Sequence, residues 1–404
     1  MQQNRSRVVW FVIIAIGFLV IVDPFRWFEG DAIPRTLRVN SDVRQEMESF
    51  LARSPTAEQF VVDALEEHDL VLIGETGFVR EQALYLTRLI PRLDEAGVRH
   101  LGLVHASLED QSLIDELLTA NSFDEGLAHQ ILFNFQVIYG YQEYVEVFRS
   151  AWQVNRDREQ GEQPFRIVGV GFTPDYSVIE TEEDINDPEV LRQVFRNGIP
   201  DEEIAGVISE QLVEPGYRAA VYLQFPQAFT GFEQPLYRQN MEEQGFPNQK
   251  RAGNILRDRY GTRVISAIFH TPVRESRSRT GYGYPIGGVL DDIIATLPEG
   301  EHSRGFFVAD SPFSDAPISS DSLSQGLEEE ELTFQRFTDA YLTLGPIASY
   351  TAVTPIPDFI DESNLATALQ EFPGPNPGDI SVSEMNEYIA ANAGQMTRIL
   401  EQFE

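Results

Sequence analysis

The chain has no cysteine. That excludes a disulfide framework, a thiolate metal site and a cysteine nucleophile. The ligating and acid–base side chains that remain are carboxylates and six histidines: His68, His100, His105, His129, His270 and His302. Positive charge is the second scarcity. Thirty basic residues face 64 acidic ones, a net charge of −34, and Lys250 is the only lysine. A phosphate backbone needs a basic face, so nucleic acid is excluded as a partner. The acidic excess reads as a solvated surface that keeps the protein soluble; a saline habitat and a basic partner are the alternatives. Signature motifs are also missing. There is no Gly-x-Ser-x-Gly elbow for a serine triad. No His-x-His or His-Glu-x-x-His spacing suggests a metal, and the glycine-rich stretch 281–288 lacks the Gly-Lys-Ser/Thr of a phosphate loop.

Long apolar runs are scarce as well, with one exception. Arg5 and Arg7 precede an uncharged run from Val8 to Val22. At about 1.5 Å per residue this run is short for a bilayer core of roughly 30 Å. Pro24, Phe25, Trp27 and Phe28 extend it into the interface, and Trp10 and Trp27 suit aromatic belts. The reading is a transmembrane anchor over 8–28, with 1–7 in the cytoplasm and the bulk of the chain extracytoplasmic, periplasmic or at the cell surface. A cleaved signal peptide is the competing reading, but no Ala-x-Ala-like site follows the run.

What the sequence does contain is a strand–helix–strand unit. Leu70 to Ile73 is a continuous apolar run, broken at Gly74, which leaves Glu75 at the strand's carboxyl end. Val79, Leu84, Leu86, Ile90 and Leu93 then fall at helical spacing, and Gly97 stands where a helix C-cap glycine belongs. A second apolar run, Leu101 to Val104, leads to His105. Such a βαβ unit belongs in a parallel sheet with a right-handed crossover. Further strands are expected at 165–171, 218–224 and 263–269, with candidates at 305–308 and, as strand or helix, 337–344. Helices are expected at 108–118, 127–135, 141–155, 201–212 and 249–260, and Ser383 is expected to cap a final one. The fold class is therefore α/β, one large domain with a largely parallel central sheet flanked by helices. Residues 29–55 form a linker and leading helix, 56–377 the domain, and 378–404 a C-terminal amphipathic helix.

In open α/β sheets ligands bind beyond the carboxyl ends of the strands. Glu75, His105, the loop holding Asp175, the segment Gln224 to Gln227, and His270 all fall at that edge. A carboxylate that orients an imidazole is a general acid–base arrangement. A histidine that ends a buried strand is also commonly a structural hydrogen-bonding residue.

Several stretches together resemble the α/β superfamily of ChaN-like haem-binding lipoproteins, erythromycin-esterase-like hydrolases and TIKI/TraB proteins. They are Ile73-Gly-Glu75 with Ala96-Gly-Val-Arg-His-Leu-Gly102, Tyr141-Gln-Glu-Tyr144 with Trp152 and Asn155, and Ala228-Phe-Thr with Gln234-Pro-Leu-Tyr237. Arg251-Ala-Gly-Asn254, Tyr260-Gly-Thr-Arg-Val264, His270-Thr-Pro272, Phe306-Phe-Val with Ser311-Pro-Phe313, and Pro355-Ile-Pro-Asp-Phe-Ile360 complete the set. The resemblance implies a Gly-Glu-x-His motif, a glutamate ending the second strand and a histidine in the loop after the fourth. Here those positions read Gly74-Glu75-Thr76-Gly77, Val104-His105 and Gln224-Phe-Pro-Gln227. Three functions follow as expectations. One is a tethered domain that binds a small ligand or protein partner through a degenerate hydrolase-like site. Another is a hydrolase with His105 or His270 as base and Glu75 orienting it. The third is a haem protein with a histidine or Tyr237 as axial ligand. The site candidates are Glu75, His105 and His270 for catalysis, and Asp175, Gln227, Tyr237 and Arg251 for ligand binding, with no metal.

Overall fold

The computed structural model describes residues 33, 35, 37–159, 161–181, 184, 187–195, 199–275, 278, 281–318, 320, 323, 327, 332–371 and 380–404. The strands are β1 (Leu70–Glu75), β2 (His100–Ser107), β3 (Arg166–Gly171), β4 (Ala219–Gln224), β5 (Val264–Phe269), β6 (Val273–Arg274), β7 (Tyr282–Gly283), β8 (Arg304–Phe307) and β9 (Ala340–Thr343). The helices are α1 (Ser41–Arg53), α2 (Ala57–Glu67), α3 (Arg80–Glu95), α4 (Gln111–Thr119), α5 (Glu125–Phe135), α6 (Gln142–Arg156), α7 (Pro188–Val194), α8 (Pro200–Ile208), α9 (Pro235–Glu243), α10 (Ala252–Tyr260) and α11 (Val289–Ile294), followed by two single turns, Phe334–Phe337 and Leu365–Ala368, and a C-terminal helix, Val382–Leu400.

Seven strands form one sheet in the order β3-β2-β4-β1-β5-β9-β8. Every pairing is parallel except β8 with β9. The α/β architecture with a mostly parallel sheet is thus as the sequence indicates. The strand order was not legible: β4 inserts between β1 and β2, and β9 separates β5 from the antiparallel edge strand β8.

Strand alternation sorts the side chains into two layers. Val71, Ile73, Leu101, Leu103, Ala220, Tyr222, Ala267 and Phe269 face α2 to α6. Leu70, Leu72, Val221, Leu223, Val264 and Ile268 face α1, α8, α10 and α11. By parity Glu75, His105 and Gln224 belong to the first layer, whereas His270 belongs to the second. This assignment governs the site below. Helix α3 ends as its sequence suggests: Gly97 takes a positive φ of 74°, and the amides of Gly97 and Val98 close on the carbonyls of Asp94 and Leu93. The C-terminal helix is capped by Ser381 in a reciprocal pair with Glu384, not by Ser383. Its Met385, Ile389 and Ala393 join the first layer's core.

Where β2 runs beside β3 the register slips: Leu103 pairs with Gly169, but Ser107 pairs with Gly171. Two extra residues in β2 bulge outward there, and His105 lies within the bulge. Both β3 glycines are needed for this. A Cβ on Gly171 would run into the Val104 carbonyl and the Phe135 ring, and one on Gly169 into the Ser107 carbonyl.

One expectation is corrected. The run Val8 to Val22 lies outside the described residues, and among the described residues no helix is long and apolar enough to cross a membrane. The anchored, extracytoplasmic location drawn from that run therefore has no structural support and is withdrawn.

The bulge yields a prediction. Gly171→Ala forces β3 off β2 and should destabilise the fold by about 1–3 kcal/mol, the usual cost of overpacking, measured as a lower denaturant midpoint. An unchanged midpoint would mean that the bulge has room to spare.

Candidate functional site

The centre of the carboxyl edge is a carboxylate–imidazole pair. Glu75 Oε1 lies 2.9 Å from His105 Nε2. Two further donors reach the same carboxylate: Tyr222 Oη donates to Oε2 at 2.7 Å and Gln224 Nε2 to Oε1 at 3.1 Å. Parallel register places these groups together. Glu75 pairs with Gln224, and Ile73 with Tyr222, across β1 and β4. Gln224 is held in turn, its backbone N–H donating to Gln227 Oε1 at 3.3 Å.

Glu75 and His105 are both fully buried. The imidazole sits in a box of rings, with centroids of Tyr144 at 4.1 Å, Tyr139 at 4.7 Å, Tyr222 at 6.0 Å and Phe135 at 6.3 Å. Burial first, and then the charge of Glu75, hold the phenols of Tyr222 and Tyr139 above their ordinary value. Both rings are therefore protonated donors. A buried carboxylate is tolerable only with such donors.

Not all hydrogen-bonding capacity here is spent. His105 Nδ1, Gln224 Oε1 and the neighbouring Thr76 Oγ1 are buried and have no hydrogen-bond partner among the described residues. Unsatisfied buried polar atoms are rare in folded proteins and mark functional positions when they recur at one place.

The other candidates are placed elsewhere. His270 ends β5 on the opposite face of the sheet. Its Nε2 lies 2.9 Å from Asp291 Oδ2 and its Nδ1 3.1 Å from Tyr341 Oη, while Asp291 Oδ1 accepts from Ile347 N at 2.9 Å. Both ring nitrogens are committed, so His270 does not join Glu75. Tyr237 and Arg251 form a buried knot with Asp201 between α8, α9 and α10. Asp201 accepts from Tyr237 Oη at 2.9 Å, Arg251 Nη1 at 3.3 Å and Ala252 N at 2.8 Å, with the guanidinium 3.5 Å above the Tyr237 ring. That knot ties the loop after β4 to two helices. Asp175 Oδ1 caps the turn Tyr176–Val178 by accepting from Ser177 N at 3.2 Å. Gln227 acts one step behind, through Gln224. Sequence reading missed Tyr222, Tyr139 and Tyr144. The first had a signal: in the apolar run of β4 the polar side chains Tyr222 and Gln224 recur with period two.

Three of the axial ligands that the resemblance brings in for haem are not open in this structure. Tyr237 is bound to Asp201, His270 has no free nitrogen and His105 is enclosed by rings. No group of three His, Asp or Glu side chains suited to a metal ion occurs among the described residues. A groove of about 540 Å³ lies at the β8 edge between α1 and α2 and is lined by Phe50, Phe60, Phe306 and Phe307 with Glu67 and Asp310.

No protein-family model and no curated protein matches the chain. Several solved structures are distantly similar to the chain. A Bacillus cereus protein of 11% identity covers 76% of this chain and 97% of its own, with a TM-score of 0.48. A succinoglycan biosynthesis protein matches at 10% identity over 59% of this chain and 78% of its own, TM-score 0.39. ChaN of Campylobacter jejuni, solved with cofacially bound haem, matches at 10% identity over 52% of this chain and 85% of its own, TM-score 0.33. At these identities and TM-scores the likeness carries no argument about fold family or activity.

Tyr222→Phe deletes one donor to a buried carboxylate. It should lower stability by about 1.5–3 kcal/mol, the range for hydrogen bonds to charged groups, read by chemical denaturation. A loss below a few tenths would show that Glu75 does not depend on that hydroxyl.

Proposed function

We propose that this chain is a ligand-binding α/β protein whose hydrolase-like centre has been absorbed into the core. The observation that carries this reading is the complete burial of Glu75 and His105 behind Tyr139, Tyr144 and Phe135, with the carboxylate holding three partners. A general base must stand within hydrogen-bond reach of the proton it abstracts, with room for a substrate atom beside it. Here the space about the imidazole is taken by aromatic rings. The unspent atoms His105 Nδ1, Gln224 Oε1 and Thr76 Oγ1 supply two acceptors and a hydroxyl for a small polar ligand admitted when the edge opens. The acidic surface argues for a neutral or cationic ligand, since an anion approaching a protein of charge −34 is repelled.

The test is turnover of chromogenic ester, lactone and amide substrates by the wild-type protein and by Glu75→Gln, an isosteric change that keeps one acceptor and removes the charge. The reading predicts no turnover above buffer in either protein. Hydrolysis by the wild type that falls by two orders of magnitude or more in a folded Glu75→Gln variant, the typical contribution of acid–base catalysis, would replace it with the hydrolase reading. Hemin titration separates the third function: the prediction is no Soret band whose loss follows His105→Ala.

A further inference from the structure

The amino edge of the sheet, opposite the Glu75 site, gathers positive charge on a strongly acidic chain. Two turns lie side by side there. Gly97-Val98-Arg99 leads from α3 into β2, and Gly216-Tyr217-Arg218 leads from the helical turn Ser209–Val213 into β4. Both are built the same way. Gly97 and Gly216 take φ of 74° and 80°. The amides of Gly97 and Val98 close on the carbonyls of Asp94 and Leu93, and those of Gly216 and Tyr217 on the carbonyls of Val213 and Leu212. The strands that follow are neighbours in step, with His100 beside Ala219. The register therefore sets Arg99 beside Arg218, on backbones about 4.8 Å apart.

Between the turns lies a pocket of about 240 Å³, lined by both arginines with His100, Gln163 and Tyr217, and by no carboxylate. Its charges are not balanced. Arg99 Nη1 donates to Asp94 Oδ1 at 3.0 Å, but Arg158 donates to the same oxygen. Arg218 Nη1 donates to the Leu65 carbonyl at 3.0 Å, and among the described residues no carboxylate pairs with it. Three guanidinium groups thus meet one carboxylate. A guanidinium has five N–H donors, so most of the exposed Arg218 fork is unspent. His100 points to a ligand independently. It is only 6% exposed, and its ring lies flat on Tyr217 with centroids 3.9 Å apart. None of the described residues hydrogen-bonds its ring nitrogens, so its polar atoms meet only what enters the pocket. Burial first, and then the charge of Arg166, push its pKa down to about 4. At neutral pH the ring is uncharged and keeps one N–H to donate.

We infer that this pocket binds a phosphate group, gripped by the Arg218 guanidinium with Arg99 and the His100 ring beside it. Two uncompensated positive charges match a dianion, and the arginine fork matches its oxygens. The acidic surface does not forbid this. At physiological salt charges are screened over about 8 Å, so an ion in the pocket responds to the pocket's own lining. The site stands at the other end of the strands from Glu75 and does not depend on the reading given above for that centre.

The test is a phosphate titration of the full chain, with the histidine rings labelled with carbon-13 and followed by NMR at neutral pH. Sodium chloride at matched ionic strength is the control. The His100 signal is identified by its loss in His100→Gln. It should shift saturably with inorganic phosphate and not with chloride, while the other histidine signals stay in place. In Arg218→Gln the Kd should rise about tenfold or more, the factor expected when a hydrogen bond to a charged group is lost. Arg218→Lys keeps the charge and a donor for Leu65 but not the fork, and should weaken binding less. A shift that does not saturate, a shift that chloride reproduces, or an unchanged Kd in both Arg218 variants overturns the site. Phenyl phosphate then tells a phosphate ester from the free ion. Tyr217 is 36% exposed beside the pocket, so an ester whose body packs on that ring binds more tightly than inorganic phosphate, and a site for the free ion binds it no better.

Discussion

A carboxylate held fully out of water dictates much of what surrounds it. Glu75 sits at the end of a central strand with no access to solvent, and an isolated ion there would be prohibitively costly. It is tolerated because β4, its parallel neighbour, brings Tyr222 and Gln224 alongside, and because β2 delivers His105. Each of these donors imposes a further requirement. Tyr222 must stay protonated, which burial and the carboxylate itself secure. Gln224 must be aimed, which Gln227 does from the turn that follows β4. His105 must reach across a full strand position, because β4 separates β2 from β1.

His105 also lies at the least regular feature of the sheet. Between Leu103 and Ser107 β2 spends two more residues than β3, and His105 is one of the residues in between. The chain resolves this with a bulge, and the bulge is accommodated because β3 contributes Gly169 and Gly171 where side chains would collide with the β2 backbone. The sequence Gly-Val-Gly near the end of β3 is in this sense part of the Glu75 site, although neither glycine touches it. The loop 137–141 that carries Tyr139 is itself held by hydrogen bonds to Ile356, Glu371 and Ile389.

Much of the framework could be read from residue order alone. The β1–α3–β2 unit was legible because a buried parallel strand leaves an unbroken apolar run and because Gly97 closes a helix in the only conformation that suits it. Glu75 and His105 were legible as strand-end polar residues. His270 shared that signature and yet stands on the opposite face with Asp291 and Tyr341, because counting along a strand gives the end but not the face until the register with neighbours is known. Tyr237 and Arg251 were read as ligand contacts from motif likeness; their partner Asp201 lies some fifty residues away from Arg251 in sequence, and only the fold reveals that the three neutralise one another. Tyr139 and Tyr144 came from a helical insert with no positional cue linking it to the sheet edge.

The central claim is that Glu75 and His105 are one packed unit of the core. A double-mutant cycle in denaturant measures it most directly, using Glu75→Ala, His105→Ala and the pair. If the claim holds, removing the His105 partner or the Glu75 carboxylate costs about 1.5–3 kcal/mol, the range for hydrogen bonds to charged groups, and the double variant costs little more than the worse single one. Strictly additive losses, or single losses below about 1 kcal/mol, would contradict it and describe two side chains that meet at an accessible site without holding the fold together.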